Sequence, residues 1–398
     1  MDPLYTFHIN SIRQTENAFV RFLYESIDWD QRMLALKGPR GAGKTTLMLQ
    51  RIKYGLDLPT TKALYITADH YWFYTNTLYE TAEKFYLNGG RYLFIDEVHK
   101  YPRWSRELKN IYDGFPNLKI VFSASSALDI YRGEADLSRR VLTYNLPGMS
   151  FREYLMLKGI LRQESVSIND VVSNHEQIGF EITKQIQPLP YFREYLKVGY
   201  LPIIAESRKE DIPVRLIQVI NAVVESDLAY TENFDSGTAN KIKKLLGVIA
   251  ESVPFKPNIS ALARKLKISR ESVYLWLTYL DNAGLLNTLS REGKGISILQ
   301  KPDKIFLENT NLAYALKESP DIGSVRETFA MNQLTNAGFD VSLPESGDFL
   351  TNGFHIEVGG KNKTGKQIQG IENSIIAADD IEEGYGNKVP LWLFGFLY

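Results

Sequence analysis

One short run of residues constrains the fold of this 398-residue chain more than any other feature. An apolar run at residues 33–36 precedes it, and a helix-like segment at residues 47–52 follows it. Its members are Gly38, Pro39, Arg40, Gly41, Ala42, Gly43, Lys44, Thr45 and Thr46. Glycines at this spacing let backbone N–H groups turn inward around phosphate oxygens at a helix N-terminus. The run therefore predicts a phosphate-binding loop, since a plain glycine-rich turn needs neither the lysine nor the threonine.

Two acids that follow the apolar run at residues 92–95 complete this prediction. In such an arrangement Lys44 reaches the β- and γ-phosphates of ATP, and Thr45 and Asp96 hold Mg²⁺ from opposite sides. Glu97 is the candidate catalytic base, because a carboxylate there can orient the attacking water. An acid pair alone would also suit a helix N-cap. After a complete loop, the pair favours ATP and Mg²⁺ as ligands.

Serines and arginines farther along supply further catalytic candidates. Ser123 and Ser125 follow the strand-like residues 119–122 and are candidate sensors of the attacking water or the γ-phosphate, with capping of the next helix as the alternative. Arg139 and Arg140 are candidate arginine fingers, with a solvated basic pair as the alternative. A finger would act in a neighbouring subunit, so this hypothesis implies a homo-oligomer.

The order of strands and motifs resembles a known class of ATPase. A strand-like run at residues 63–68 lies between the loop and the acid pair, and with Glu97 it makes the chain look like an AAA-type ATPase and not like a kinase or GTPase. Residues 38–40, 94–100 and 146–154 resemble those of prokaryotic AAA-like ATPases that carry a poorly characterised C-terminal region. The resemblance covers nearly the whole chain.

An α/β fold in four parts follows from the motifs and this resemblance. We predict a P-loop AAA-like domain with a parallel sheet at residues 1–150, a helical lid at 151–235, a winged helix at 236–300, and a small α/β domain at 301–398. The last part looks like a restriction-endonuclease-like core, as the resemblance implies. Ahead of the first strand, periodic apolar residues predict a helix at 11–27.

Composition and charge narrow the kinds of site, partner and location that we expect for the protein. The net charge of −1 gives no global reason to expect nucleic acid, and the absence of cysteine excludes disulfides and thiolate zinc sites. No apolar run approaches the roughly 20 residues that span a bilayer. We therefore expect a cytoplasmic protein without a membrane partner.

A helix-turn-helix pattern at residues 259–282 coincides with local positive charge. Residues 256–301 contain eight basic and three acidic side chains, and residues 285–289 and 297–299 are the predicted wing strands. Ser269, Arg270, Ser272 and Tyr274 lie near the start of the second helix. They are candidate DNA contacts. The alternative is a module that packs internally or binds a protein partner.

Acids in the last hundred residues match part of a nuclease site. Asp348 and Glu357 fall on two strands of a predicted hairpin, and Glu327 lies on the preceding helix. The resemblance implies that such acids bind Mg²⁺ and that a nearby lysine assists the attacking water. Lys361 is the candidate lysine, although two glycines lengthen its spacing from Glu357. A degenerate domain kept for structure or partner contact is the simpler interpretation.

Taken together, the sequence predicts Mg²⁺-dependent ATP hydrolysis coupled to a winged helix and a C-terminal domain that contact DNA or protein. Two alternatives stay open. The first is a nucleotide-gated, DNA-binding switch with slow turnover, and the second is an ATP-regulated nuclease.

Overall fold

The chain forms two compact units in a computed structural model that describes residues 1–57, 59–126, 137, 139–228, 234–251, 256–291 and 302–398. The first unit comprises Met1–Pro147 and Asp227–Asn233, and the second comprises Gly148–Ser226 and Phe234–Tyr398. The predicted boundary near residue 150 lies close to the end of the first unit's main segment. The predicted boundary at 235 lies at the edge of the second unit's last segment, and the one at 300 lies within that segment. The four-part division stays a prediction.

A five-stranded parallel sheet forms the centre of the first unit, as the sequence predicted. Its strands are β1 (Met33–Gly38), β2 (Ala63–Thr67), β3 (Tyr92–Asp96), β4 (Lys119–Ser125) and β5 (Leu142–Asn145). The strand order is β2-β3-β4-β1-β5, so that β4 lies between the loop strand and the acid-bearing strand. The carboxyl ends of parallel strands meet at one edge, where an α/β sheet places its ligands.

Helices cover both faces of this sheet and bury its apolar side chains in two clusters. They are α1 (Asp2–Gln14), α2 (Leu23–Ser26), α3 (Lys44–Gln50), α4 (Leu78–Leu87) and α5 (Trp104–Gly114). The helix predicted at 11–27 is wrong in its bounds. Proline in the first turn suits the start of α1, because a first-turn N–H has no intrahelical acceptor.

The helices of the second unit fill the region that the sequence assigned to a lid and extend beyond it. They are α6 (Phe151–Leu157), α7 (Ile168–Ser173), α8 (His175–Thr183), α9 (Pro188–Val198), α10 (Ile212–Ala222), α11 (Ser236–Ala250), α12 (Ile259–Leu266), α13 (Arg270–Asn282), α14 (Thr310–Leu316) and α15 (Ile322–Asn336). Among its described residues, the chain has no helix both long and apolar enough to cross a membrane.

Two small sheets complete the second unit. In the first, β6 (Leu286–Leu289) pairs antiparallel with β7 (Lys304–Leu307). The second has the order β11-β10-β9-β8 and consists of β8 (Phe349–Thr351), β9 (Phe354–Gly359), β10 (Ser374–Ala378) and β11 (Lys388–Pro390). Only the β8–β9 pair is antiparallel in this second sheet.

One strand prediction needs correction, and another lies on residues that the structure does not describe. The apolar run at residues 390–396 predicts a strand from the sequence, but β11 ends at Pro390 and a 3-10 helix follows at Leu391–Phe396. The wing strand predicted at 297–299 lies outside the described residues, and the strand that pairs with β6 is β7. Strand β10 was missed because its five residues carry no alternation or flanking turn motif that distinguishes a short buried strand.

A buried polar cluster lies in the core of the second unit. The Glu308 carboxylate accepts hydrogen bonds from Asn332 Nδ2 (2.9 Å), from Asn309 Nδ2 (2.6 Å) and from the Tyr200 hydroxyl. Burial raises the pKa of Glu308 to about 7. These donors satisfy a carboxylate that packing has removed from water, which is the condition for keeping it in a core.

Candidate active site

The phosphate-binding loop has the backbone that the sequence motif requires. Gly41 and Gly43 adopt φ angles of 83° and 95°, which favour glycine. Gly38, the first residue of the loop, also excludes a side chain, since a Cβ there would lie 2.1 Å from the Leu146 carbonyl oxygen. Lys44 begins α3 and is buried, and its Nζ donates to the carbonyl oxygens of Gly38 (2.8 Å) and Pro39 (3.0 Å). Burial lowers the pKa of Lys44.

An arginine that the sequence analysis missed donates a hydrogen bond to this loop. Arg21 is buried, and its guanidinium donates to the carbonyl oxygens of Ala42 and of Pro147, the latter at 2.9 Å. The residue lies between α1 and α2, away from any recognisable motif. Its contacts fix the middle of the loop and the segment after β5 against each other.

Asp96 lies directly opposite Thr45, as the acid motif predicted. Thr45 Oγ1 donates to Asp96 Oδ2 at 2.6 Å, and the Tyr65 hydroxyl donates to the same oxygen at 2.8 Å. The Ser123 hydroxyl donates to the other carboxylate oxygen. Burial, followed by the Asp96 charge, raises the pKa of Tyr65 and keeps its proton on the phenol. The carboxylate is thus oriented by three neutral hydroxyl donors.

This pair of oxygens fits a Mg²⁺ ion. Mg²⁺ prefers oxygen ligands and takes one or two from protein while it keeps water and phosphate oxygens. Thr45 and Asp96 supply such a pair beside the loop. Larger metal clusters are a different case, because the described residues contain no group of three or more His, Cys, Asp or Glu side chains arranged to hold a metal ion.

Glu97 follows β3 in a strained conformation. Its φ of 53° and ψ of 41° place a non-glycine residue in the left-handed region, and its backbone N–H donates to Ser123 Oγ at 2.9 Å. Residues held this way occur often at functional sites. Its carboxylate Oε2 lies 3.4 Å from Lys100 Nζ, 3.5 Å from His99 Nε2 and 3.8 Å from Arg40 Nη2. The candidate base is therefore surrounded by basic side chains.

The two serine candidates have different surroundings. Ser123 is fully buried and contacts Asp96 and the Glu97 backbone, so it positions both acids of the motif. Ser125 is the last residue of β4, and its Oγ donates to Asp227 Oδ2 at 3.1 Å. Both serines lie within the strand, and the residues after Ser126, where a capped helix would begin, are not described.

Asp227 is the main functional candidate that sequence analysis missed. It belongs to the first unit and is 2% exposed. Besides Ser125, it lies 3.4 Å from Arg40 Nη2 and 3.7 Å from His99 Nε2. Burial opposes its ionisation, but the His99, Arg40 and Ser125 contacts lower the pKa of Asp227. No local motif marks this aspartate, because its partners are distant in the chain.

The structure separates the two candidate arginine fingers. Arg140 pairs with Asp113 of its own chain at 3.0 Å, and Arg139 is exposed. An exposed side chain is the one free to reach another subunit. The finger role and the homo-oligomer stay predictions.

The residues of the predicted helix-turn-helix form two helices, α12 and α13, joined by a turn with Lys267 in the left-handed region. Ser269 caps α13 by accepting from the Ser272 N–H at 3.0 Å, and the Arg270 guanidinium donates to Ser260 Oγ at 2.9 Å. Tyr274 is half-buried in the same helix. Ser269 and Ser272 thus form the cap of α13, while Arg270 joins α13 to α12 and stays exposed.

Each of the three acids in the candidate nuclease cluster has a lysine nearby. Lys304 Nζ lies 3.1 Å from Glu327 Oε2 and 3.7 Å from Asp348 Oδ1. Burial, and then the Asp348 charge, raises the pKa of Glu327. Glu357 is buried, and its Oε1 lies 3.0 Å from a lysine, but this lysine is Lys363.

The assignment of Lys361 to this cluster is therefore wrong. Strand β9 ends at Gly359, and the chain then turns through a hydrogen bond from the Lys363 N–H to the Gly360 carbonyl at 2.9 Å. The turn carries Lys363 back toward the strand, whereas Lys361 is exposed.

Comparisons with known proteins agree with the geometry of the first unit. Residues 30–155 match the model of an AAA domain family, and residues 189–322 match a domain of unknown function, DUF8612. The uncharacterized protein MJ1637 of Methanocaldococcus jannaschii is 27% identical over 287 residues, which cover 69% of this chain and 60% of that protein. This chain thus spans less than two thirds of that relative. The match at residues 30–155 supports an AAA-type P-loop domain with nucleotide-binding character.

Solved structures with some similarity include two proteins described with a ligand. The Aeropyrum pernix ORC1 protein in complex with DNA has a TM-score of 0.29 and 13% identity, over 78% of this chain and 92% of that one. AMPPCP-bound DnaA from Aquifex aeolicus has a TM-score of 0.25 and 14% identity, over 65% of this chain and 84% of that one. At these TM-scores the similarity carries no argument about function.

Proposed function

We propose that this protein is a Mg²⁺-dependent ATPase of the AAA type whose second unit contacts DNA. The observation that supports this proposal most directly is the Thr45–Asp96 hydrogen bond of 2.6 Å beside the loop that Lys44 closes. In this proposal the phosphate-binding loop, the Mg²⁺ ligands and the candidate base all lie at one edge of the same sheet.

Each residue of the site has a separate task in this proposal. Loop N–H groups and Lys44 bind the phosphates, while Thr45 and Asp96 hold Mg²⁺, which supplies charge stabilisation for phosphoryl transfer when bound. Glu97 accepts a hydrogen bond from the attacking water and orients it. Because Arg40, His99 and Lys100 lie around the Glu97 carboxylate, that carboxylate must turn away from at least one of them to do so.

ATP hydrolysis by the Lys44→Ala variant tests the proposal. Loss of the ammonium should remove ATP binding and turnover together, because the charge that meets the phosphates is gone. A Lys53→Ala variant changes a lysine that follows α3 and bonds to the Thr15 carbonyl, and it serves as the matched control. Turnover by Lys44→Ala at the wild-type rate would overturn the proposal.

Turnover number separates the ATPase from a nucleotide-gated switch. Repeated turnover under excess ATP favours the ATPase, whereas tight ATP binding with negligible turnover favours the switch. The same assay at several protein concentrations tests the finger, since activity per molecule that does not change with concentration would argue against action of Arg139 or Arg140 between subunits.

DNA contact is proposed for the α12–α13 surface. Arg264, Lys265 and Lys267 are exposed around the turn, and Arg270 is exposed at the start of α13. Clustered cations of this kind favour phosphate contacts, which weaken steeply with salt. Binding of duplex DNA, measured with and without a non-hydrolysable ATP analogue at several salt concentrations, tests both the contact and its dependence on nucleotide.

A further inference from the structure

We infer that Asp227 is an internal anion that competes with the γ-phosphate of ATP for Arg40 and Ser125. This inference rests on the proposed ATP site and adds a residue that distinguishes ATP from ADP. It starts from an unusual placement, a carboxylate only 2% exposed that lies against the phosphate-binding loop.

Its contacts belong to elements that flank the loop. Arg40 is the third residue of the loop, and its Nη2 lies 3.4 Å from Asp227 Oδ1. Ser125 ends β4 and is aligned with Gly38, the first residue of the loop, in the parallel pairing of β1 with β4. Its hydroxyl donates to Asp227 Oδ2 at 3.1 Å. Asp227 thus accepts from a hydroxyl and a guanidinium that a phosphoryl oxygen would also accept from.

Charge makes the two anions antagonistic. The Asp227 carboxylate lies beside the loop, with its Oδ1 3.4 Å from Arg40 Nη2. A γ-phosphate beside Lys44 would add negative charge next to the Asp227 carboxylate, and two such charges a few ångströms apart repel. The α- and β-phosphates are different, because the loop N–H groups at the N-terminus of α3 bind them. Only a nucleotide with a γ-phosphate therefore has to displace Asp227.

Displacement would move a defined piece of chain. Asp227 lies in the π-helical turn Val223–Leu228, which continues directly from α10. The π-helical geometry is rare and occurs most often at functional sites. When Asp227 leaves Arg40 and Ser125, this turn must shift with it. Binding of the γ-phosphate would therefore change the backbone conformation at residues 223–228.

Equilibrium binding of ATP and ADP to the Asp227→Asn variant tests the inference. Asparagine keeps the size of the side chain and removes its charge, so the ATP-over-ADP affinity ratio should rise about tenfold, with ADP affinity within about twofold of wild type. Glu225→Gln removes a neighbouring carboxylate that pairs with Lys243, and it should leave the ratio unchanged. An unchanged or lower ratio in Asp227→Asn would overturn the inference.

Hydrogen exchange on the wild-type protein provides a test that needs no variant. A non-hydrolysable ATP analogue should speed amide exchange in residues 223–228 relative to ADP, and equal exchange with both nucleotides would contradict the displacement. The proposed ATPase fails separately, if neither nucleotide binds the wild type or if Lys44→Ala binds both as tightly.

Discussion

The sequence predicted one carboxylate cluster in each unit, and the two clusters differ in their partners. In the first unit, Asp96 accepts from the hydroxyls of Thr45, Tyr65 and Ser123. In the second unit, Glu357 pairs with Lys363, and Lys304 lies between Glu327 and Asp348. Among these contacts Asp96 has only hydroxyl donors, whereas each of the three acids in the second unit has a lysine nearby.

The partners decide what each cluster can bind. Hydroxyl groups orient a carboxylate and leave its charge for a cation, so Asp96 suits Mg²⁺. A lysine that already pairs with a carboxylate competes with a divalent ion for the same oxygens. The comparison favours a structural role for the C-terminal cluster, and the nuclease stays the alternative. Four expected outcomes, ordered from the largest effect to the smallest, break or sharpen this contrast.

Exchanging one carboxylate in each cluster should give opposite results. We expect Asp96→Asn to lower the ATPase rate about 1,000-fold, or about 4 kcal/mol, because the cation loses its charged ligand. Glu357→Gln should keep the wild-type rate. Phosphate release under excess Mg²⁺ and ATP measures both. Mg²⁺-dependent DNA cleavage that Glu357→Gln abolishes would reverse the interpretation of the second cluster.

Glu308 offers a further comparison. Like Asp96, its carboxylate accepts hydrogen bonds from neutral donors, but it does not lie beside the phosphate-binding loop. Its pKa is raised from 4.5 to about 7, so the folded protein keeps a proton that the unfolded chain releases in this window. Stability should therefore fall as pH rises from about 4.5 to about 7, by up to about 3 kcal/mol, and then level off.

Urea unfolding at pH 5 and pH 8 measures this difference. Glu308→Gln should flatten the dependence, because it carries no titrating proton, whereas the exposed Glu164→Gln should keep the wild-type dependence. A Glu308→Gln profile that parallels wild type would show that another group titrates.

Lys363→Met should destabilise the protein by about 2 kcal/mol, because it leaves Glu357 buried and unpaired. Adding Glu357→Gln to this variant should recover most of the loss. Thermal unfolding of the two single variants and the double variant measures the coupling. Independent, additive losses would mean that the 3.0 Å pair contributes little.

The smallest effect concerns charge without burial, at the helix-turn-helix. Lys267→Ala should weaken DNA binding across all sequences and lower the salt dependence of log K by about one phosphate contact. Lys84→Ala, an exposed lysine on α4, is the matched control. Titrations between low and moderate salt measure the slope, and an equal slope in both variants would place DNA elsewhere.

Local patterns predicted much of the first unit and of its site. The runs at 33–36, 63–68, 92–95 and 119–122 each mark a strand of the parallel sheet, since a strand buried on both faces is continuously apolar. Lys44, Thr45 and Asp96 lie where their motifs placed them. Helix bounds were less accurate, because Phe19 and Phe22 continue an apolar spacing past the end of α1.

The sequence by itself determined the phosphate-binding loop and its opposing acid, because their chemistry depends on spacing within a strand, a turn and a helix. Tertiary structure decided the rest. Asp227 meets Arg40 across 187 positions of the chain and Ser125 across 102, and Lys363 replaces Lys361 through one turn after β9. Such contacts depend on where tertiary packing places each segment, and local residue patterns do not encode that placement.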